Sequence, residues 1–239
     1  MKHIVVLTGA GVSAESGINT FRDAGGLWEN HKVMDVASPE GWRRNKELVL
    51  RFYNERRKQV LEVKPNDAHY ALAELESKFR VTIITQNIDD LHERGGSQQI
   101  IHLHGELLKS RSSLDGNLIY PCTTDIHLGD KCPKGSQLRP HIVWFGEAVP
   151  LIPLAAHWVG EADLVMVVGS SMQVYPAAGL VEYAKRGVPV YYIDPKPAVN
   201  HELKKSNLTL MPMKATEGVR KLVTKLLSLP DDAPLTHLI

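Results

Sequence analysis

Residues 4–14 constrain this chain more than any other stretch. An apolar run, Ile4–Thr8, passes directly into Gly9-Ala10-Gly11-Val12-Ser13-Ala14, a G-x-G-x-x-A pattern. Glycines at these positions permit a tight turn and let backbone N–H groups approach a pyrophosphate, beside a helix N-terminus that favours an anion. Taken alone, the pattern is equally compatible with an ordinary tight turn. Followed by a helix, it commits the start of the chain to a strand–turn–helix unit.

The remainder keeps that rhythm. Apolar runs at Val81–Thr85, Leu164–Gly169, Val188–Ile193 and Leu208–Met211 read as further strands, and several are unbroken, as strands covered on both faces should be. Helical stretches are expected near Lys46–Leu61, Pro65–Lys78, Tyr175–Arg186 and Ala215–Leu227. Pro65 and Pro176 are placed as first helical residues and Gly187 as a C-terminal stop. This alternation implies an α/β fold: a Rossmann-type parallel sheet with helices on both faces and a smaller inserted module. Asp23–Trp42 and Ser110–Arg139 break the period and read as functional loops or the insert. The tail after Leu229 reads as loosely attached.

Composition excludes several classes. The chain has 28 Lys+Arg against 27 Asp+Glu, a formal charge of +1, without long runs of either sign. Nothing favours nucleic acid or an anionic membrane as partner. The first apolar run is short for a secretory signal, and no stretch reaches the roughly 18–20 residues that span a bilayer. Two cysteines, Cys122 and Cys132, suggest reduced thiols in a cytoplasmic protein.

No acidic residue ends a second strand about 20 residues after the glycine turn, which argues against a dehydrogenase that holds and returns NAD. Candidate nucleotide contacts lie further on: the small turn Gly169-Ser170-Ser171, and Asp194 at a strand's carboxyl end. Simple turn chemistry would also explain each of these. The strand ending at Thr85 opens into Gln86-Asn87-Ile88-Asp89-Asp90-Leu91-His92, polar groups at an active-site position, although Asp89 could merely cap the next helix. His102 and His104, two apart, would face one side of a strand. They read as a metal pair, as a catalytic base near pH 7, or as structural histidines. Gly105 beside them would let a ligand approach closely.

The blocks TGAGVSAESGINTFR (8–22), TQNIDDLHERGG (85–96), IHLHGEL (101–107), PHIVWFGE (140–147) and VVGSSMQVYPAA (167–178) together resemble the sirtuins, in family order and over nearly the whole chain. The resemblance implies NAD-dependent protein-lysine deacylation, with NAD consumed and nicotinamide and O-acyl-ADP-ribose released. It implies that Gly9, Ala10, Gly11 and Ser13 cradle the NAD phosphates, and that Phe21 and Arg22 belong to a loop closing over the cofactor. Gln86 and Asn87 would line the ribose and nicotinamide pocket, with Ile88 and Asp89 gripping the carboxamide. Gly169, Ser170, Ser171 and Asp194 would meet the adenosine side. His104, aided by Asn87, would be catalytic: the acyl oxygen attacks ribose C1′, and His104 helps deprotonate the ribose hydroxyls. Val143, Phe145, Gly146 and Glu147 would pair with the substrate backbone, opposite Val174 and Tyr175, by strand addition. Residues 1–24, 61–109 and 143–239 would form the NAD-binding domain, and 25–60 with 110–142 the smaller one. A cytoplasmic monomer acting on acyl-lysine proteins or peptides is expected.

Tyr53 and Arg56 stand i, i+3 on one face of the helix expected at Lys46–Leu61, with Val49, Phe52 and Val60 on a similar arc. An Arg there wants an anion, and the Tyr-x-x-Arg pair resembles the signature of desuccinylating sirtuins. It implies removal of succinyl and malonyl groups beside acetyl. The sirtuin module usually binds zinc through four cysteines. Here Ser112, Asp115 and Gly135 replace three of them and Cys132 remains, so zinc is not expected. A mixed site from Cys122, His127 and Cys132 with Asp125 or Asp130 is the weaker alternative. Asn19 replaces the usual Pro, and Tyr192 an Asn often facing the adenosine ribose. The competing functions are a protein mono-ADP-ribosyltransferase and a non-catalytic NAD or ADP-ribose sensor.

Overall fold

The structure, a computed structural model, describes residues 1–19, 27–199, 201, 203, 207–236 and 238–239. In chain order the strands are β1 His3–Thr8, β2 Leu27–Trp28, β3 His31–Lys32, β4 Arg80–Thr85, β5 Ile100–His102, β6 Gly105–Ser112, β7 Ile119–Pro121, β8 Leu138–Ile142, β9 Leu164–Val168, β10 Pro189–Ile193 and β11 Asn207–Met211. The α-helices are α1 Val33–Val36, α2 Pro39–Arg44, α3 Lys46–Glu62, α4 Asp67–Glu74, α5 Leu91–Arg94, α6 Ile152–Gly160 and α7 Ala215–Leu227.

Strands pair in the order β11-β10-β9-β1-β4-β5, every neighbouring pair parallel. Successive residues of a strand face opposite sides. Ile4 and Val6 therefore pack with Leu72, Val219 and Leu222 of α4 and α7. Val5 and Leu7 pack on the other face with Ala155, Val159 and Leu180. Burial on both faces accounts for the unbroken apolar runs. The chain builds outward from β1 through β4 to β5, then restarts at β9 and builds the other way. The reversal lies between β1 and β9, and open α/β sheets bind ligands beyond the carboxyl ends of the strands at such a point.

A second layer joins α1–α3 to the antiparallel sheet β7-β6-β8. Val49, Phe52 and Tyr53 of α3 pack with Leu107, Ile142 and Trp144. Polar ties reinforce the contact. Asn54 donates to Ile126 O and accepts from Ile126 N, both at 3.0 Å. The fully buried Arg57 donates to Leu107 O at 3.1 Å and to Asn54 Oδ1 at 2.7 Å.

Several local expectations need correction. The glycine turn enters two 3₁₀ turns, Ala10–Val12 and Ala14–Ser16, with Gly17 left-handed at φ 94°, instead of a long helix. Pro65 precedes α4: Asn66 is the N-cap, and His69 Nδ1 completes a capping box by accepting from Asn66 N. Tyr175–Arg186 forms a 3₁₀ segment, Ala177–Tyr183, with Pro176 at its N-cap. Gly179 and the β-branched Val181 weaken an α-helix there. Gly187, at φ 89°, turns the chain into β10 and caps nothing. The irregular stretches hold structure of their own: β2, β3, α1 and α2 in the first, β7 with parts of β6 and β8 in the second. Nor is the tail loose, because Leu235 and Leu238 bury in the core and Leu238 N donates to Tyr191 Oη at 3.1 Å. Among the described residues no helix is long and apolar enough to cross a membrane.

Candidate active site

Two turns interlock at the reversal point. Gly9 N donates to Val168 O at 3.0 Å and Gly11 N to Gly169 O at 2.8 Å. A Cβ on Gly11 would stand 2.6 Å from Gly169 Cα, and one on Gly169 would stand 2.3 Å from Val12 N. Gly169 is also left-handed, at φ 59°. The glycines at 9, 11 and 169 are thus required for the two strand ends to meet. Ser170 is buried beside them: its Oγ accepts from Gln86 Nε2 and from Met172 N, both at 3.2 Å. Tyr192, at the position where Asn is usual, donates to Ser170 O at 2.7 Å and braces the turn from β10. Asp194 is buried at the end of β10 and accepts from Lys196 N at 2.8 Å.

A polar cluster follows on β4. Asn87 Nδ2 donates to Ser13 Oγ at 3.1 Å, and Ser13 Oγ donates to Asp89 Oδ2 at 3.0 Å. The N-cap of α5 is Asp90, not Asp89; Asp89 Oδ1 accepts from Leu91 N at 3.1 Å across that residue, and Oδ2 faces the glycine turn. Burial pushes the Asp89 carboxyl up, opposed by the Leu91 and Ser13 hydrogen bonds.

The strand argument does not apply to the two histidines. Only His102 lies on a strand, because β5 ends there and His104 sits in the turn into β6. Neighbouring carbonyls hold one ring each: His104 Nδ1 lies 3.0 Å from Gln86 O, His102 Nδ1 3.3 Å from Asn87 O. A carbonyl only accepts, so His104 carries its proton on Nδ1 and leaves the Nε2 lone pair available. Burial lowers the His104 pKa, partly offset by the bond to Gln86, which keeps the ring neutral near pH 7. His102 instead meets Glu93 Oε1 through Nε2 at 2.6 Å.

The segments expected to hold a peptide leave the ends of β8 and β9. Val143 N donates to the backbone carbonyl of His104 at 2.9 Å, tying one segment to the turn that carries the imidazole, and Phe145 N donates to Ala37 O at 3.0 Å. Phe145 and Tyr175 are both solvent-exposed, at 42% and 58%. Gly146, at φ 90°, has open space where a Cβ would point. Val174 O accepts from Ala178 N. Glu147 is committed within the chain. Its N–H is on Trp144 O, and its carboxylate takes Arg139 at 2.7 Å, Arg111 at 3.1 Å and Trp144 N at 2.8 Å.

Arg56 lines a narrow cleft of about 40 Å³ together with Asn19, Gln59, Ile88, Asp89 and Leu107. Its Nε and Nη1 are buried without a hydrogen-bond partner. Among the described residues its Nη2 meets the carboxylate of the neighbouring Glu55 at 3.5 Å, and the guanidinium lies over the Phe52 ring, 4.9 Å from its centre. Tyr53 is fully buried, and its hydroxyl accepts from Trp144 Nε1 at 3.0 Å. Phe21 and Arg22 lie outside the described residues, and Ser171 is half-buried beside Ser170. Sequence reasoning missed Asn54, Arg57 and Arg139, whose burial no apolar period signals.

The small sheet does not fit a four-thiolate zinc site. Ser112 Oγ and Ser136 Oγ lie 2.6 Å apart, and Cys132 Sγ lies 3.1 Å from Ser136 Oγ. The Ser136 hydrogen bond holds the Cys132 thiol down at about 7. Cys122 Sγ turns away to Thr124 O at 3.4 Å. Among the described residues, neither cysteine is gathered with His127, Asp125 or Asp130 into a cluster of metal donors.

The sheet edge does fit a dinucleotide: interlocked glycines at the reversal point, then Ser13, Gln86, Asn87 and Asp89 as buried polar groups, with a neutral imidazole beside them. Known proteins agree. The sequence model of the Sir2 family matches residues 9–176. An NAD-dependent protein deacylase of Helicobacter pylori is 55% identical over 229 residues, covering 96% of this chain and 99% of that protein. Another, of Bacteroides thetaiotaomicron, is 54% identical over 236 residues, covering 96% and 100%. The structure of a Sir2 homolog–NAD complex superposes with a TM-score of 0.84 at 40% identity, covering 93% of this chain and 88% of that one. A Sir2 bound to acetylated peptide gives 0.75 at 31% identity, covering 92% of each.

Proposed function

Because the chain belongs to the Sir2 family and is an NAD-dependent protein deacylase, we propose that Arg56 directs it to acyl groups ending in a carboxylate, succinyl and malonyl, beside acetyl. One observation carries this reading: Arg56 lines the cleft, and among the described residues two of its buried guanidinium nitrogens have no hydrogen-bond partner. A buried, unpaired charged donor is costly, and a dicarboxylic acyl chain would supply the missing acceptor. The Tyr53 hydroxyl accepts from Trp144 and keeps its own proton for a second bond to that carboxylate.

NAD supplies a ribose C1′ from which nicotinamide can leave. The chain's residues do the rest. The turns at Gly9–Ser13 and Gly169–Ser171 receive the phosphates and adenosine ribose, with Asp194 at the far strand end. Gln86, Asn87, Ile88 and Asp89 enclose the nicotinamide side, and Ser13 fixes the Asn87 amide. His104, with Nδ1–H tied to Gln86 O, offers Nε2 as the base that takes a ribose hydroxyl proton. Phe145, Gly146, Val143, Val174 and Tyr175 hold the peptide. Glu147 also shapes that edge through Arg139 and Arg111, which leaves its carbonyl for the substrate backbone. Residues 1–24, 61–109 and 143–239 act as the nucleotide unit, and 25–60 with 110–142 as the smaller one.

The test compares kcat/KM for acetyl-, malonyl- and succinyl-lysine forms of one peptide, in the wild type and Arg56→Met. One charge-assisted bond contributes roughly 1.5–3 kcal/mol, about one to two orders of magnitude. The substitution should remove that much from succinyl and malonyl turnover and leave acetyl turnover near the wild-type value. Equal losses for all three acyl groups refute the assignment.

A further inference from the structure

The mechanism uses His104 and leaves His102 without a task. His102 ends the edge strand β5, with Nδ1 directed at the Asn87 carbonyl. That places the Nδ1 proton and turns Nε2 toward Glu93 Oε1, 2.6 Å away. Glu106, from the start of β6, brings a second carboxylate into the same neighbourhood. One donor atom from each of Glu93, His102 and Glu106 lies within 4.8 Å of the other two. Three separate elements, α5, β5 and β6, thus converge on one point. Lys109 Nζ donates to Glu106 Oε2 at 2.7 Å, and the carboxylate has a second oxygen. The His102 side chain is 9% exposed and that of Glu93 40%. The set is therefore anchored on the protein side and open toward solvent.

We propose that Glu93, His102 and Glu106 bind a single divalent cation of the zinc class, at a site distinct from the nucleotide edge and from the cysteines of the small sheet. One imidazole and two carboxylates suit zinc, cobalt or nickel, whereas magnesium and calcium take all-oxygen shells. Three protein ligands leave a position for water, available here because Glu93 borders solvent. A ligand histidine almost always donates its other N–H to a carbonyl or carboxylate, and Asn87 O fills that place. Asn87 also donates to Ser13, and its neighbour Gln86 holds His104. The cation would therefore anchor the turn that carries the base, through His102 and Glu106 on either side of it. This inference does not rest on the acyl preference.

The experiment is calorimetric titration of the full chain with zinc chloride. One zinc should bind per chain. The double substitution Glu93→Gln with Glu106→Gln should weaken binding by about 100-fold or more. Cys122→Ser with Cys132→Ser should leave the affinity unchanged. Cobalt(II) bound to the wild type should show d–d bands and no thiolate charge-transfer band, a readout that needs no variant to fold. The proposal is overturned if zinc does not saturate a site, if binding survives the double Gln substitution, or if the cysteine pair abolishes it.

Discussion

Gly169→Ala tests whether the nucleotide edge is built by two glycine turns that need each other. The new Cβ would stand 2.3 Å from Val12 N, 2.4 Å from Gly11 C and 2.6 Å from Gly11 Cα. All three are backbone atoms, so no side chain can swing aside. The left-handed backbone, at φ 59°, adds a cost of about 1–2 kcal/mol for any residue with a Cβ. Overpacking of this kind typically costs a further 1–3 kcal/mol or so. In a chain of this size about 1 kcal/mol lowers Tm by roughly 2–4 °C, so a drop on the order of 10 °C is expected. Gly187→Ala is the control: φ is 89°, and nothing lies within 4 Å of the added carbon. It should lose only about 1 kcal/mol. Thermal unfolding should be paired with NAD titration. Gly169→Ala should weaken NAD binding at least about tenfold, whereas Gly187→Ala should bind normally. If both variants melt together and both bind NAD as the wild type does, the turns do not interlock.

Two further outcomes follow from buried groups. Arg57→Met leaves Leu107 O and Asn54 Oδ1 without their buried donor. It should cost about 1–3 kcal/mol in denaturant unfolding, and an unchanged midpoint would show that the module does not depend on this tie. Burial, with Arg94 nearby, lowers the His69 pKa to about 4, and His92 beside it is depressed by burial as well. Near neutral pH His69 is uncharged in both states and contributes nothing. Below pH 6.5 the unfolded chain gains a proton that the folded chain refuses, so stability falls until about pH 4. The loss from His69 reaches about 3 kcal/mol. Urea midpoints across that range should show the fall, and His69→Gln should flatten it; an equal fall in the variant contradicts the assignment.

Much of the fold was legible because strand burial leaves a direct trace. Ile4–Thr8, Val81–Thr85 and Leu164–Val168 are covered on both faces, so their apolar runs are unbroken and their bounds come out within a residue. Helix ends were less legible, since Asn66 with His69 forms an unusual capping box that displaced the start from Pro65. The tail misled because its few apolar residues, Leu235 and Leu238, dock at a distance in sequence. In the site, the glycines at 9, 11 and 169 stood out as turn positions, but turn chemistry alone left ordinary turns equally open, because their mutual contact joins strand ends far apart in sequence. The placement of the two histidines was not readable either, because the strand stops between them and period-two reasoning no longer applies. Arg57 was invisible for a related reason: a buried guanidinium on α3 answers to the carbonyl of Leu107, about 50 residues away, and leaves no pattern in its own helix.

The most direct measurement follows nicotinamide and acylated product together by mass spectrometry, with NAD and one acyl-lysine peptide, for the wild type and His104→Asn. The wild type should release nicotinamide and O-acyl-ADP-ribose in equal amounts, only when the peptide is present. The variant should bind NAD yet turn over about 10²–10⁴-fold more slowly. A variant as fast as the wild type, or wild-type nicotinamide release that ignores the peptide and leaves ADP-ribose on protein, would contradict the assignment of His104 as the base.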